Sequence, residues 1–252
     1  GMPKSAQNFP SAQELEEDFS LHLDIRQCAG CGLVQLANGP VSYYREVIRA
    51  SGVSVEMAAF RKEQFAALIR EFDLINRRGI EIGCGNGEYL NLLVEQGLQM
   101  TGVEYSENAV QNCRRKGFDV HRQFLSDPEV VIQGGEYSAC FMFNFLEHLP
   151  APNNVLQGIA ANLCEEGVGI IEVPNFDMIL RSSMFTEICS DHLLYFTQDT
   201  FQQILSRNGF EVLECNPVWQ DYILSARVKK RPLLPVDGFK KAQHRLTKSL
   251  AD

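Results

Sequence analysis

A glycine-rich turn is the feature that most restricts how this chain can fold. An apolar, strand-sized run at Gly79–Ile82 leads directly into Gly83–Gly87, where glycine occupies every second position, and a helical pattern begins at Glu88. Glycine permits the backbone conformations of a sharp turn and lets a ligand contact the main chain. Such a turn between strand and helix is typical of the ligand-binding edge of an open parallel sheet.

Short apolar runs alternate with helical patterns along most of the chain. The predicted strands are 79–82, 100–104, 118–122, 137–143, 167–173, 210–215 and 222–228, and the predicted helices between them are 88–96, 107–116, 153–163 and 200–207. This alternation indicates βαβ units and a parallel sheet covered on both faces. The last two strands follow each other without a helix, so one of them runs antiparallel. The predicted fold is therefore α/β, a doubly wound, mostly parallel seven-stranded sheet of Rossmann-like type.

The sheet-forming region has a segment on each side. Residues 1–54 are predicted to form a helical or irregular N-terminal extension, and 55–228 the sheet domain, which opens with a helix capped by Ser54. Residues 229–252 are predicted to be a basic tail or linker, because they carry seven Lys or Arg against two Asp.

Composition excludes several classes of function. The formal net charge of −9 disfavours a nucleic-acid substrate, since a phosphate backbone requires a basic face. The apolar runs are strand-sized, so we expect no membrane span, and the first residues lack the apolar run of a secretory signal. The eight cysteines are scattered and fit reduced thiols, which favours a cytoplasmic location.

Two acidic residues near the turn indicate which cofactor it binds. Glu81 lies inside the first strand, two residues before the first glycine, where it would repel the pyrophosphate of a dinucleotide. S-adenosylmethionine (SAM) instead brings a sulfonium and an ammonium, which a carboxylate attracts. Glu104 ends the second strand, where a carboxylate can accept both ribose hydroxyls of an adenosine. The predicted cofactor is therefore SAM.

Together, Glu81–Gly87, Val103–Ser106 and Phe143–His148 resemble the class I SAM-dependent methyltransferases, and the resemblance extends from about Val55 to Val228. It implies that the glycine turn faces the methionine part of SAM, with Asn144 beside it. It also implies that Tyr105 packs on the adenine, with Phe124 and Leu125 on its far side. The implied cofactor-binding residues are Glu81, Gly83, Cys84, Gly85, Gly87, Glu104, Tyr105, Phe124, Leu125, Asn144 and Phe145.

A narrower resemblance concerns the substrate. Cys28–Leu36 is similar to half of the zinc-binding head of sugar C-methyltransferases that act on nucleotide-linked keto-deoxysugars, and Asp191–Thr197 resembles their Glu-His-Leu-x-Tyr-Phe-Ser segment. A structural zinc needs four ligands, and only one Cys pair is present, so we expect no bound metal. Val47 and Arg49 stand near where that family has tyrosines. Lys240–Leu250 resembles the helix leading into that family's C-terminal domain, which suggests a truncated chain.

The expected chemistry is proton removal next to a ketone, followed by methylation of the carbon. His192 is the predicted base, Tyr195 the donor to the enolate, and His148 lies within reach after the fourth strand. Arg49, Arg61 and Tyr44 are weaker candidates for binding the methionine carboxylate. Three alternatives stay open: O- or N-methylation of another small metabolite, an NAD-dependent oxidoreductase or epimerase, and a non-catalytic SAM-binding protein. The oligomeric state also stays open.

Overall fold

The computed structural model describes residues 11–13, 15–17, 19–46 and 52–233. Val47, Arg49 and Lys240–Leu250 lie outside the described residues, as does most of the predicted basic tail.

The elements follow one another in the order that the alternation predicts, with additions at the N-terminus and after the fifth strand of the large sheet. They are β1 (Ile25–Gln27), β2 (Val34–Leu36), α1 (Val55–Glu71), β3 (Arg78–Ile82), α2 (Glu88–Glu95), β4 (Gln99–Glu104), α3 (Glu107–Arg115), β5 (Asp119–Arg122), β6 (Tyr137–Phe143), α4 (Pro152–Asn162), β7 (Leu163–Pro174), α5 (Phe176–Arg181), β8 (Leu194–Tyr195), α6 (Gln198–Arg207), β9 (Phe210–Val218) and β10 (Ile223–Lys230). Short 3₁₀ turns occur at Leu15–Glu17, Leu146–His148 and Phe185–Glu187.

Seven strands form the large sheet in the order β5-β4-β3-β6-β7-β10-β9. β5, β4, β3, β6 and β7 pair in parallel, and β10 is antiparallel to both of its neighbours. The predicted fold class, including one reversed strand at the end, is confirmed. The chain moves outward from β3 to β5, then returns to place β6 on the other side of β3. A crevice forms where the strand order reverses, at the carboxyl ends of β3 and β6.

Helices cover both faces of the sheet and create two apolar cores. On one face, Phe65 of α1 packs against Phe141 and Phe143 of β6, with ring centroids 5.8 and 5.6 Å apart. On the other, Ile159 of α4 and Phe201 of α6 are buried in the second core. β6 is buried along almost its whole length, which explains why it reads as a continuous apolar run. Ser54 caps α1, as predicted, by accepting the N–H of Met57.

The N-terminal extension contains a hairpin that the sequence did not predict. β1 and β2 pair antiparallel, and β2 also pairs with β8, giving a second, three-stranded sheet. Cys28 and Cys31 lie half-buried in the hairpin turn. Backbone N–H groups lower the pKa of the Cys28 thiol, whereas burial raises that of Cys31.

Two further differences from the predictions concern the C-terminal half. A six-residue helix, α5, stands where a loop was expected. β10 continues to Lys230, two residues into the predicted tail. Among the helices of the described ranges, none is long and apolar enough to cross a membrane.

Candidate functional site

The turn between β3 and α2 adopts a conformation that favours glycine at each of its three glycines. Gly83, Gly85 and Gly87 have φ angles of +69°, +54° and +81°, in the left-handed region that L side chains rarely adopt. A Cβ on Gly83 would lie 3.0 Å from the Phe145 ring, whereas the space beside Gly85 is open. Among the described residues, the turn therefore leaves open space where a side chain at Gly85 would stand.

Glu104 connects the end of β4 to this turn. Its carboxylate is 4% exposed and accepts the backbone N–H groups of Gly85 at 2.9 Å and of Tyr105 and Ser106 at 2.8 Å each. Burial raises the pKa of Glu104, and the three N–H donors oppose that rise. A carboxylate held by main-chain donors has a fixed orientation, so its remaining lone pairs point in defined directions.

A narrow cleft opens beside Glu104. Its lining consists of Ile82, Gly83, Val103, Glu104, Tyr105, Gln123, Phe124, Leu125, Phe145 and Val155. Six of these are among the cofactor-binding residues that the resemblance implies. Gln123 and Val155 were not predicted. Gln123 directly precedes the predicted Phe124, whereas Val155 lies on α4, far along the chain, where the sequence shows only helical periodicity. The cleft, apolar with one carboxylate, suits an adenosine.

The remaining predicted cofactor residues lie next to the cleft rather than on its wall. Glu81 is buried within β3. The Cys84 thiol packs into the sheet, and its hydrogen bond with Cys113 raises its pKa well above the usual value. Asn144 has a φ of +48° and donates its N–H to the Glu172 carbonyl. Its side-chain Oδ1 is buried and has no hydrogen-bond partner among the residues that the structure describes.

Of the three weaker candidates for the methionine carboxylate, Arg49 lies outside the described residues, and Arg61 and Tyr44 have other surroundings. Arg61 is buried and forms a 2.6 Å ion pair with Glu172, whose side chain is also buried. Its guanidinium lies between the rings of Tyr89 and Phe143, 4.8 and 4.7 Å from their centroids. Its charge is thus already neutralised inside the core. The Tyr44 ring packs edge to face on Phe124, 5.8 Å between centroids, at the end of the cleft that Tyr105 and Phe124 line.

The three predicted catalytic residues come together at the carboxyl edge of the sheet. His148 follows β6, and His192 and Tyr195 belong to the segment that leads into β8. The His148 and His192 ring centroids are 4.7 Å apart, and those of His192 and Tyr195 are 6.3 Å apart. His148 Nδ1 lies 2.8 Å from the Asp191 carbonyl oxygen, which joins the two segments and leaves Nε2 for another contact.

The Tyr195 hydroxyl is occupied by backbone groups. It donates to the Cys189 carbonyl and accepts the Cys189 N–H, each at 3.2 Å. Burial raises its pKa. The phenol therefore braces the loop that carries His192, and donating to an acceptor would require it to give up the bond to the Cys189 carbonyl.

Burial sets the protonation of this cluster. It raises the pKa of Glu147 to about 8, lowers that of His192 to about 3 and also lowers that of His148. At neutral pH both imidazoles are thus uncharged and Glu147 is mostly protonated. Glu147 lies within the Phe143–His148 motif, but its position in the sequence indicates no role, because a carboxyl after a strand does not reveal how deeply it is buried.

The cluster also has the composition of metal ligands. Among the described residues, ligand atoms of Glu147, His148 and His192 lie within 4.8 Å of one another, as do those of Cys189, Asp191 and His192. Both sets include His192, so a metal bound there would occupy the lone pair that a base requires.

Comparisons with known proteins agree with this geometry. A family described as "Methyltransferase domain" matches residues 57–215. C-methyltransferase NovU of Streptomyces niveus is 23% identical over 138 residues, which are 54% of this chain and 33% of NovU. A ubiquinone biosynthesis O-methyltransferase of Bordetella avium is 25% identical over 183 residues, 64% of this chain and 75% of that enzyme. This chain therefore spans a third of the first relative and three quarters of the second.

Among solved structures, the magnesium protoporphyrin IX methyltransferase (ChlM) of Synechocystis PCC 6803 with bound SAM is similar in fold. Its TM-score is 0.53 at 16% identity, over 77% of this chain and 86% of that one.

Proposed function

The chain belongs to the methyltransferase-domain family, with the class I fold, and from this premise we propose that it transfers the methyl group of SAM to a carbon of a nucleotide-linked keto-deoxysugar. The observation that carries the proposal is the position of two groups at one edge of the sheet. The cleft at Glu104 lies beside the end of β4, and the His148–His192 pair lies beyond the end of β6.

The cleft supports SAM as the cofactor through shape and charge. Glu104 is oriented by three N–H donors and has lone pairs left to accept the two ribose hydroxyls. Tyr105, Phe124 and Leu125 offer apolar surface to an adenine. The open space beside Gly85 leaves room for the methionine part next to the turn.

The proposed reaction begins with a proton transfer to His192. Its imidazole is neutral at pH 7 and accepts the proton from the carbon next to the ketone, leaving an enolate. The enolate carbon attacks the methyl carbon of SAM, the carbon–sulfur bond breaks, and sulfur keeps the electron pair, giving S-adenosylhomocysteine (SAH). Burial lowers the pKa of His192 to about 3, and the charge of Asp191 opposes that decrease, which favours the imidazolium that forms.

O-methylation of a phenol is a second candidate. The observation that favours it is the match to ubiquinone biosynthesis O-methyltransferases, which covers 75% of the relative, against 33% for the C-methyltransferase. The same imidazole would then remove a hydroxyl proton.

Product analysis with methyl-labelled SAM separates the two candidates. The purified chain is incubated with a set of nucleotide-linked keto-deoxysugars and with a set of dihydroxyphenyl compounds. We expect labelled carbon in a sugar, and solvent deuterium exchange into that sugar without SAM. Label only on a phenolic oxygen would replace the first candidate by the second, and no label in either set would contradict both.

A further inference from the structure

An N-terminal segment lies against the nucleobase end of the cleft. The Tyr44 ring meets Phe124 edge to face, and Phe124 meets Tyr105 in the same way, with centroids 5.8 and 6.1 Å apart. Two of these rings line the cleft. The third comes from a part of the chain that the family match at residues 57–215 does not include.

Arg45 is placed over all three rings. Its guanidinium carbon lies 5.3 Å from the Tyr44 centroid, 5.5 Å from that of Tyr105 and 5.3 Å from that of Phe124. Its Nε donates to the Tyr44 hydroxyl at 2.9 Å. The residue is exposed, so three aromatic contacts and one hydrogen bond fix an arginine that water would otherwise leave mobile.

A planar guanidinium stacks on aromatic faces and is weakly hydrated, so it can cover a ring without a large desolvation cost. Adenine presents the same kind of face as Tyr105 and Phe124. A nucleobase that enters the cleft beside those rings comes within reach of the Arg45 guanidinium, which already lies over them.

We propose that Tyr44 and Arg45 form the outer wall of the nucleobase pocket, with the Arg45 guanidinium stacked on the adenine of SAM and SAH. This inference rests on the proposed function, since it takes the cleft at Glu104 as the SAM site. It gives the N-terminal extension a part in cofactor binding that lies outside the family match.

Calorimetry with two ligands tests the contact. SAH contains adenosine and the amino-acid part, whereas 5′-methylthioadenosine contains adenosine without the amino acid. We expect Arg45→Ala to weaken both by the same factor, about 5- to 30-fold. Tyr44→Phe keeps the ring but removes the hydroxyl that accepts from Arg45 Nε, so this variant should lose less affinity for the two ligands than Arg45→Ala. Arg26→Ala is the matched control, because Arg26 is exposed in the same extension and pairs with Asp24 at 2.6 Å.

The pattern of losses decides the outcome. If Arg45→Ala weakens SAH but not 5′-methylthioadenosine, the guanidinium binds the methionine carboxylate and the adenine contact is wrong. Equal affinity of Arg45→Ala and the unaltered chain for both ligands also overturns it. An unaltered chain that binds neither ligand overturns the SAM site itself. An unchanged melting temperature of unliganded Arg45→Ala shows that the fold is intact.

Discussion

The cofactor side and the acceptor side of the site are held in place by different means. On the cofactor side, the main chain fixes the decisive group, since Glu104 accepts three backbone N–H groups. On the acceptor side, segments 144–148 and 189–195 meet through a backbone hydrogen bond, from the Leu193 N–H to the Glu147 carbonyl, and through the contacts of the His148 ring with the Asp191 carbonyl and the His192 ring. There, Glu147 Oε2 and Asp191 Oδ1 are buried without a hydrogen-bond partner within the described residues. Because backbone groups orient Glu104, we expect the cofactor side to be insensitive to changes in neighbouring side chains. Because the acceptor side contains buried carboxyls without hydrogen-bond partners, we expect it to respond to protonation and to ligand binding.

The largest expected effect belongs to His192. His192→Ala should lower kcat by about 10²- to 10⁴-fold and leave the Kd of SAH within about twofold, because the base acts on the acceptor and not on the cofactor. Single-turnover kinetics and calorimetry measure the two quantities. Loss of SAH binding along with activity would show that the two halves are not independent and that His192 is structural.

Glu147 should make stability depend on pH. Its pKa of about 8 lies above its value in the unfolded chain, so the folded state holds the proton more tightly. The stabilisation is fully present below the unfolded pKa and is lost as pH rises towards 8.

Between pH 5 and pH 8 the unfolding free energy of the unaltered chain should therefore fall by about 3 kcal/mol because of Glu147. The Glu147→Gln variant should not show this decrease. Urea unfolding of both proteins at several pH values gives the difference, in which the contributions of the histidines cancel. Parallel pH profiles would show that Glu147 is ionised in the folded state.

Glu104→Ala tests the cofactor half. It removes a charge-assisted pair of hydrogen bonds to the ribose and should raise the Kd of SAH by about 30- to 150-fold, or 2–3 kcal/mol. Glu107→Ala is the control, because Glu107 is close in sequence but pairs with Arg122 at the surface. Equal affinities of the two variants would remove Glu104 from the binding site.

The smallest expected effect concerns Tyr195. Tyr195→Phe leaves the partly buried N–H and C=O of Cys189 without the hydroxyl as their partner and should cost about 1 kcal/mol of unfolding free energy. Denaturant titration measures this cost. If stability is unchanged and kcat falls more than about tenfold, the hydroxyl serves the acceptor rather than the loop.

Local patterns made the cofactor half predictable. The glycine turn, the end of β4 and the apolar run of β6 each follow from neighbouring residues, and the structure places them as expected. The acceptor half depends on long-range packing. β2 and β8 are three and two residues long, too short to show a strand period. The six residues of α5 make fewer than two turns, too few to show a helical period. The positions of Tyr44 and Arg45 depend on Phe124, about 80 residues away, so no local signal marks them.

The pairing of β2 with β8 has a consequence for how this chain is engineered. Val34 lies opposite Tyr195, and the Leu36 N–H donates to the Leu193 carbonyl, so the hairpin sets the register of the segment that carries His192. Exchanging that segment between relatives to alter acceptor choice would leave the incoming strand without its natural partner. The hairpin and the segment that carries His192 therefore have to be exchanged together, although about 150 residues of sequence separate them. A graft that includes both keeps the strand pairing of the smaller sheet intact.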